Sequence, residues 1–143
     1  MKYAIGDVHG EYDKLSRLLD VIGGKAGEYI FLGDILDKGD KIKETVELMV
    51  ELSRSSQCIF LLGDHDYAWL KYLDGEERFV EFLLNYGGIK TLESYMKKKM
   101  SHDEAMKLLA DKTSVFSIFG EHLNFIRSMK YYYDSSENFF CVH

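Results

Sequence analysis

Three short apolar runs, each followed by Gly-Asp, form the framework of the chain. The runs end at Gly6-Asp7, Gly33-Asp34 and Gly63-Asp64. Each run has the length of a buried strand and is rich in β-branched and aromatic residues. We predict strands over about 2–6, 28–32 and 57–62. The glycine that ends each strand predicts a sharp backbone turn there, with the aspartate just beyond it.

Helical spacing of apolar residues separates these strands. The first helix is predicted from Glu11 to Gly23-Gly24, and the second follows Asp40, which is expected to cap it. Its apolar stripe is Ile42, Val46, Met49 and Val50. The order strand–helix–strand–helix–strand predicts a parallel sheet with right-handed crossovers, and therefore an α/β fold.

The second half of the chain has a different character. Residues 67–120 read as mostly helical, with a break at 85–88 and a capping box from Ser101 to Glu104. Apolar runs at 129–133 and 139–142 flank a polar stretch, which is a hairpin signal. We predict one domain over 1–143, with the helical segment as an insert at about 67–120.

Composition limits the class of protein. The chain has 143 residues, of which 46% are apolar, without a run of about 18 apolar residues that could span a membrane. Met1 leads into a strand rather than a signal peptide, and Cys58 and Cys141 favour buried free thiols over a disulfide. We expect a soluble cytoplasmic protein without a membrane partner. The net charge of −6 argues against nucleic acid as a partner.

Parallel strands bring their carboxyl ends to one edge of a sheet, so the three strand-end aspartates are expected to converge there. Two histidines follow closely, at His9 and His65. A lone strand-end aspartate is more often a helix cap or turn residue, but this combination predicts a metal site. Mixed oxygen and imidazole ligation favours Mn²⁺, Fe or Zn²⁺ over Ca²⁺. Two ions about 3.5–4 Å apart can activate a water and clamp a phosphoryl group.

The same blocks resemble a known family. Residues 6–10, 33–39 and 63–66 read GDVHG, GDILDKG and GDHD, and they are similar to the three motif blocks of the calcineurin-like metallophosphatases. Within that superfamily, bacterial and phage serine/threonine phosphatases and symmetrical dinucleoside tetraphosphatases are the most similar. Residues 83–95 resemble their helical insert, and 139–143 resemble the strand that carries their next metal-binding histidine. The resemblance implies a four-layer α-β-β-α sandwich, here expected to be incomplete at the carboxyl terminus.

The resemblance also implies residue roles. It assigns the two divalent metals, with Mn²⁺ favoured, to Asp7, His9, Asp34, Asp64 and His143, where Asp34 bridges both. His65 would be the general acid, oriented by Asp37, and Lys38 would meet the substrate phosphate. The nucleophile would be a metal-bridging hydroxide, without a phosphoenzyme.

Three positions depart from the family pattern. Asp64 stands in place of asparagine, and Lys38 and Leu62 stand in place of phosphate-binding arginines, so anion binding is expected to be weaker.

Three functions remain open at this point. The leading one is hydrolysis of phosphate monoesters in the manner of a serine/threonine phosphoprotein phosphatase, acting on a phosphorylated protein or a small phosphoester. The alternatives are symmetrical dinucleoside tetraphosphate hydrolysis and, from another class, a non-catalytic metal-binding scaffold. The aromatic stripes that include Trp69, Tyr72 and Phe79 are interpreted as packing, with a dinucleotide pocket as the alternative.

Overall fold

A three-stranded parallel sheet underlies the candidate site. The computed structural model describes residues 1–23, 27–54, 57–136 and 138–143. The strands β1 (Lys2–Ile5), β2 (Glu28–Phe31) and β3 (Cys58–Phe60) lie in the order β1-β2-β3. Ile5 pairs with Phe31 and Phe31 with Phe60, so the three strands end level. The predicted parallel sheet is confirmed, and it brings the three Gly-Asp pairs to one edge.

The first crossover helix follows the predicted pattern. Helix α1 (Tyr12–Ile22) buries Leu15 and Leu19. It ends at Gly23, whose φ of 134° lets its N–H donate to the carbonyl of Leu19. Gly24, the second glycine of the predicted stop, lies outside the described residues.

The predicted cap of the second crossover helix is wrong. Helix α2 (Ile42–Ser53) has Lys41 at its N-cap position, without a side-chain cap bond. The carboxylate of Asp40 instead accepts a hydrogen bond of 2.7 Å from the ammonium of Lys90. A charged partner on another helix therefore outcompetes the local cap.

In the part of the chain that the structure describes, six helices follow β3, and the first of them begins earlier than predicted. They are α3 (Asp64–Leu73), α4 (Arg78–Asn85), α5 (Gly88–Met96), α6 (His102–Leu109), α7 (Lys112–Phe119) and α8 (His122–Ser128). The metal-motif residues 64–66 therefore form the first turn of α3 rather than a loop. The break at 85–88 is confirmed, as is the capping box, in which Ser101 and Glu104 exchange hydrogen bonds of 2.8 and 3.2 Å.

A two-stranded hairpin lies next to the end of β3. Strands β4 (Tyr132–Asp134) and β5 (Phe140–Val142) pair antiparallel, which confirms the predicted hairpin, although Glu137 in its turn lies outside the described residues. The N–H of Leu62 donates to the carbonyl of Lys130 at 2.8 Å. This bond ties the segment before the hairpin to the strand end that leads into Asp64.

Burial agrees with the interpretation of the aromatic stripes as packing. Trp69 and Tyr72 are fully buried, and the hydroxyl of Tyr72 donates to the carbonyl of Leu109 at 2.7 Å. Phe79 is half-buried. Cys58 and Cys141 are both free thiols, as predicted, but each is half-buried rather than buried. No helix among the described residues is long and apolar enough to cross a membrane.

The three motif glycines differ in whether their position requires glycine. Gly33 has a φ of 109°, the left-handed conformation that glycine adopts without strain. Gly63 is extended, with φ −82° and ψ 171°, but a Cβ there would collide with the backbone nitrogen and carboxylate of Asp34. At Gly6 an added Cβ meets no atom of the described residues within 4 Å. The predicted turn requirement thus holds for Gly33, whereas Gly63 permits close approach.

This difference predicts unequal effects of alanine. Gly63→Ala should lower the free energy of unfolding by about 1–3 kcal/mol, because the methyl group overpacks the Asp34 loop. Gly6→Ala is the matched control and should change it by less than about 0.5 kcal/mol. Urea denaturation followed by circular dichroism measures both. Equal losses in the two variants would contradict the steric argument.

Candidate metal centre

Asp34 is the central carboxylate of the site. Asp34 is only 3% exposed, whereas the side chains of Asp7 and Asp64 are 58% and 65% exposed. The Nε2 atom of His9 lies 3.4 Å from Asp34 Oδ2 and 3.8 Å from Asp7 Oδ2. The first two motif blocks therefore meet in one small space.

The other oxygen of Asp34 faces the opposite side of the site. The Nε2 atom of His143 lies 3.7 Å from Asp34 Oδ1 and 3.1 Å from Asp64 Oδ1. One carboxylate thus presents Oδ2 to His9 and Oδ1 to His143. This is the arrangement that a bridging ligand between two cations requires.

Backbone carbonyls orient both histidines. The Nδ1 of His9 lies 2.7 Å from the carbonyl oxygen of Leu36, and the Nδ1 of His143 lies 2.9 Å from that of Leu32. Since a carbonyl can only accept, each Nδ1–H donates. In the neutral imidazole this leaves the Nε2 lone pair directed at the carboxylates, which is the tautomer that a metal ligand needs.

The charges of the site call for a cation. Burial raises the pKa of Asp34, although the backbone N–H of His65 donates to it at 3.0 Å and opposes that shift. Burial alone would lower the pKa of His143, but the negative charges of Asp34 and Asp64 raise it. A proton or a cation at this site would offset the electrostatic cost of the buried carboxylate.

Two overlapping groups of side chains could each hold an ion. The ligand atoms of Asp7, Asp34 and His143 lie within 4.8 Å of one another, and so do those of His9, Asp34 and His65. Asp64 contacts His143 but belongs to neither group. Carboxylate oxygens with imidazole nitrogens are donors that Mn²⁺, Fe and Zn²⁺ accept, so the residues present fit the predicted cofactor class.

Lys38 lies next to the group of His9, Asp34 and His65. Its ammonium donates a hydrogen bond of 2.9 Å to the Nε2 of His9. The lysine predicted to meet a phosphate thus lies within the site and contacts a candidate metal ligand.

His65 and Asp37 form a buried pair. The Nδ1 of His65 lies 2.8 Å from Asp37 Oδ2, and the two residues are 5% and 0% exposed. Burial alone would lower the pKa of His65, but the hydrogen bond and charge of Asp37 raise it. A raised pKa favours the protonated imidazole, which is the form that a general acid uses.

Two residues that the sequence interpretation missed fix Asp37. The indole N–H of Trp69 donates to Asp37 Oδ1 at 2.8 Å, and the hydroxyl of Thr91 donates to the same oxygen at 2.6 Å. The backbone N–H of Asp37 in turn donates to Thr91 Oγ1 at 3.0 Å. The sequence interpretation of Trp69 is packing, with a dinucleotide pocket as the alternative. A buried indole N–H needs an acceptor, and that rule is the signal that could have identified its bond to Asp37.

Asp66 was also missed, and it joins two of the motif loops. Its fully buried carboxylate accepts backbone N–H groups from Ile35 at 3.1 Å, Leu36 at 3.1 Å and Gly63 at 3.2 Å. Burial raises its pKa to about 7, and the donor at Leu36 opposes the shift. An aspartate on the third residue of a helix was a possible signal, because that position commonly caps the helix start.

The site loops carry unusual backbone conformations. Positive φ angles occur at His9 (43°), Asp34 (54°), Asp37 (70°) and Lys38 (66°). Non-glycine residues adopt this region at a cost, and such strain concentrates at functional sites.

Comparison with known proteins agrees with this geometry. The sequence model of the calcineurin-like phosphoesterase family matches residues 3–141, which include all of the motif blocks. The chain belongs to the calcineurin-like phosphoesterase family. The predicted resemblance is confirmed.

Relatives are similar over part of their length. The asymmetrical bis(5'-nucleosyl)-tetraphosphatase PrpE of Halalkalibacterium halodurans is 28% identical over 74% of this chain and 45% of its own length. The symmetrical bis(5'-nucleosyl)-tetraphosphatases of Wigglesworthia glossinidia brevipalpis and Neisseria gonorrhoeae are 30% and 40% identical, over 68% and 52% of this chain. They are covered over 38% and 27% of their own lengths, so the chain spans less than half of each relative.

A solved structure supports the fold. A mutant of a cold-active protein tyrosine phosphatase superposes with a TM-score of 0.54 at 23% identity, covering 90% of this chain and 37% of that one. At this identity the similarity concerns the fold alone. The predicted α/β metallophosphatase fold is therefore confirmed.

The role of Asp66 predicts a measurable loss of stability. Asp66→Asn should lower the free energy of unfolding by about 1–3 kcal/mol, because an amide cannot accept all three N–H groups and leaves buried donors unpaired. Asp20→Asn, at an exposed position of α1, is the control and should change little. Urea denaturation measures both variants. If Asp66→Asn loses no more stability than Asp20→Asn, the proposed connection of the two loops through Asp66 is contradicted.

Proposed function

We propose that the chain carries the site of a metal-dependent phosphoesterase that uses two divalent cations. The observation that carries this proposal is the orientation of Asp34, whose two oxygens face His9 and His143. A single buried carboxylate between two imidazoles suits a dinuclear centre better than a single ion. When bound, the metals would activate water as the nucleophile and neutralise phosphoryl oxygens.

The assignment of ligands follows the two sides of Asp34. Asp7 and His9 would hold the first ion with Asp34, and Asp64 and His143 would complete the second. Mn²⁺ is the favoured metal, and Fe or Zn²⁺ suit the same donors. The contacts of His9 with Asp7 and Asp34, and of His143 with Asp34 and Asp64, support this assignment. It differs from the two groups of nearby ligand atoms, which place Asp7 with His143 and His9 with His65.

His65 would protonate the leaving oxygen. Its Nδ1 is held by Asp37, so its Nε2 is the atom that can donate to a substrate. Lys38 would bind a phosphate oxygen once a metal takes its place on His9. The intact His65–Asp37 pair favours an enzyme over a non-catalytic scaffold, because the ligand set proposed above includes neither residue.

The names of the relatives support dinucleoside tetraphosphates as the substrate class. Both symmetrical and asymmetrical enzymes occur among them, so the site of cleavage in the polyphosphate stays open. Serine/threonine phosphoprotein hydrolysis is the second candidate. It is supported by the exposure of Asp7 and Asp64, which leaves the rim of the site open to a protein side chain.

A general acid predicts a dependence on the leaving group. His65→Asn should slow hydrolysis of phenyl phosphate about 10²–10⁴-fold with Mn²⁺, because phenolate needs protonation as it leaves. Hydrolysis of p-nitrophenyl phosphate should slow much less, since p-nitrophenolate is a better leaving group. Steady-state kcat measures both.

The controls separate the roles of the residues. Asp34→Asn should abolish turnover of both substrates, and Asp20→Asn should leave both unchanged. An equal loss of the two substrates in His65→Asn would contradict the general-acid role. Absence of turnover in the unmodified protein with Mn²⁺, Fe²⁺ and Zn²⁺ would favour the scaffold.

The extra carboxylate at position 64 predicts a gain of activity. Asp64→Asn should raise kcat/KM for p-nitrophenyl phosphate about two- to fivefold, because removing an exposed negative charge changes the energy of an approaching anion by up to about 1 kcal/mol. The amide oxygen keeps a donor for the metal. A fall in kcat/KM at saturating Mn²⁺ would show that the carboxylate is needed.

A further inference from the structure

A short series of aromatic rings leads outward from His65. The ring of Phe82 lies edge-on to His65, with 5.2 Å between centroids and 61° between planes. The ring of Tyr86 lies 4.9 Å from that of Phe82, at 33°. Tyr86 is therefore two ring contacts from the residue proposed to protonate the leaving group.

A second contact fixes the position of Tyr86 relative to the site. Its neighbour Gly87 accepts a hydrogen bond of 3.4 Å from the backbone N–H of Lys38. A Cβ on Gly87 would lie 2.8 Å from that nitrogen, so the two segments are in close contact. Tyr86 therefore lies one ring contact beyond Phe82, which touches His65, and next in the chain to Gly87, which touches Lys38.

Tyr86 does not contribute to the core. Its residue is 59% exposed, whereas Trp69 and Tyr95 are 1% and 8% exposed and use their polar atoms in hydrogen bonds. Among the described residues, the ring contact of Tyr86 is to Phe82 alone. One side of the ring is supported, and the rest is open to solvent. Such a ring can stack against a planar ligand group.

We propose that Tyr86 is a specificity-determining residue that stacks against the nucleobase of a nucleotide leaving group. This inference rests on the proposed phosphoesterase function and refines its substrate class. In a dinucleoside polyphosphate, ribose and phosphate separate the base from the leaving oxygen. That spacing suits a ring two contacts away from His65.

The same reasoning disfavours an aryl phosphate as the partner of Tyr86. The ring of an aryl ester is bonded directly to the leaving oxygen, so it would lie against His65 and Phe82. Tyr86 would remain beyond its reach. Since stacking requires only a π-face, we expect little discrimination among bases, with purines favoured by their larger area.

The test compares a ligand that has a base with one that lacks it. Isothermal titration calorimetry of the whole chain in saturating Mn²⁺ measures the Kd of ADP and of pyrophosphate. The unmodified protein should bind ADP more tightly than pyrophosphate. Tyr86→Leu should weaken ADP binding about tenfold, as expected for the loss of one base–aromatic stack, and leave pyrophosphate binding unchanged.

Tyr86→Phe is the matched control, because it keeps the ring and removes only the hydroxyl. It should bind ADP within twofold of the unmodified protein. The thermal midpoint of each variant checks that the fold is retained. The inference is overturned if Tyr86→Leu binds ADP normally, if pyrophosphate binding falls in parallel, or if ADP binds no more tightly than pyrophosphate.

Failure of the proposed phosphoesterase function can be distinguished from failure of the stacking proposal. That failure is the absence of p-nitrophenyl phosphate turnover in the unmodified protein. The calorimetric comparison still tests the stacking of a base in that case, because it measures binding without hydrolysis. A tenfold effect on ADP binding without turnover would retain Tyr86 as a binding residue and reject only the catalytic role.

Discussion

The candidate site depends on one buried carboxylate that gathers backbone donors from two loops. Asp66 accepts N–H groups from Ile35 and Leu36, which follow β2, and from Gly63, which follows β3. Parallel strands are joined by hydrogen bonds only along their length, so the loops beyond their ends need another connection. Asp66 supplies it, and the positions of Asp34, Asp37 and His65 follow from it.

Unfavourable electrostatics and backbone strain occur at the same edge of the sheet. Burial, together with the nearby charge of Asp64, raises the pKa of Asp34. The loops that carry the ligands hold non-glycine residues at positive φ, including His9 and Asp34 itself. A fold tolerates such costs when the rest of the structure compensates for them. Binding of cations would relieve the electrostatic part, which couples metal affinity to the stability of this edge.

Much of this arrangement could be predicted from the sequence, because the spacing of apolar residues and the position of a Gly-Asp pair after each apolar run are local properties. The three Gly-Asp pairs defined the strand ends, and strand order then placed Asp7, Asp34 and Asp64 at one edge. The supporting residues could not be found in this way. Thr91 is close to Asp37 only because α5 packs across the site. Asp40 likewise binds Lys90 on α5 instead of capping α2. Contacts between distant helices depend on packing, which a local pattern does not encode.

Tyr86 shows the same limit from the opposite direction. In the sequence Tyr86 lies in the predicted break at 85–88, and a break by itself does not show whether an aromatic residue is buried or exposed. The exposure of its side chain and the two ring contacts that lead from it to His65 are set only when α3 and α4 pack together.

His143 has a consequence for synthesis of the chain. Its Nδ1 contacts the carbonyl of Leu32, 111 positions earlier, and its Nε2 contacts Asp64. Domains emerge from the ribosome amino terminus first. The sheet with Asp7, His9, Asp34 and Asp64 can therefore assemble while the hairpin is still being translated. The growing polypeptide has one side of the site before it has the other, so an ion captured early would meet the His9 side first.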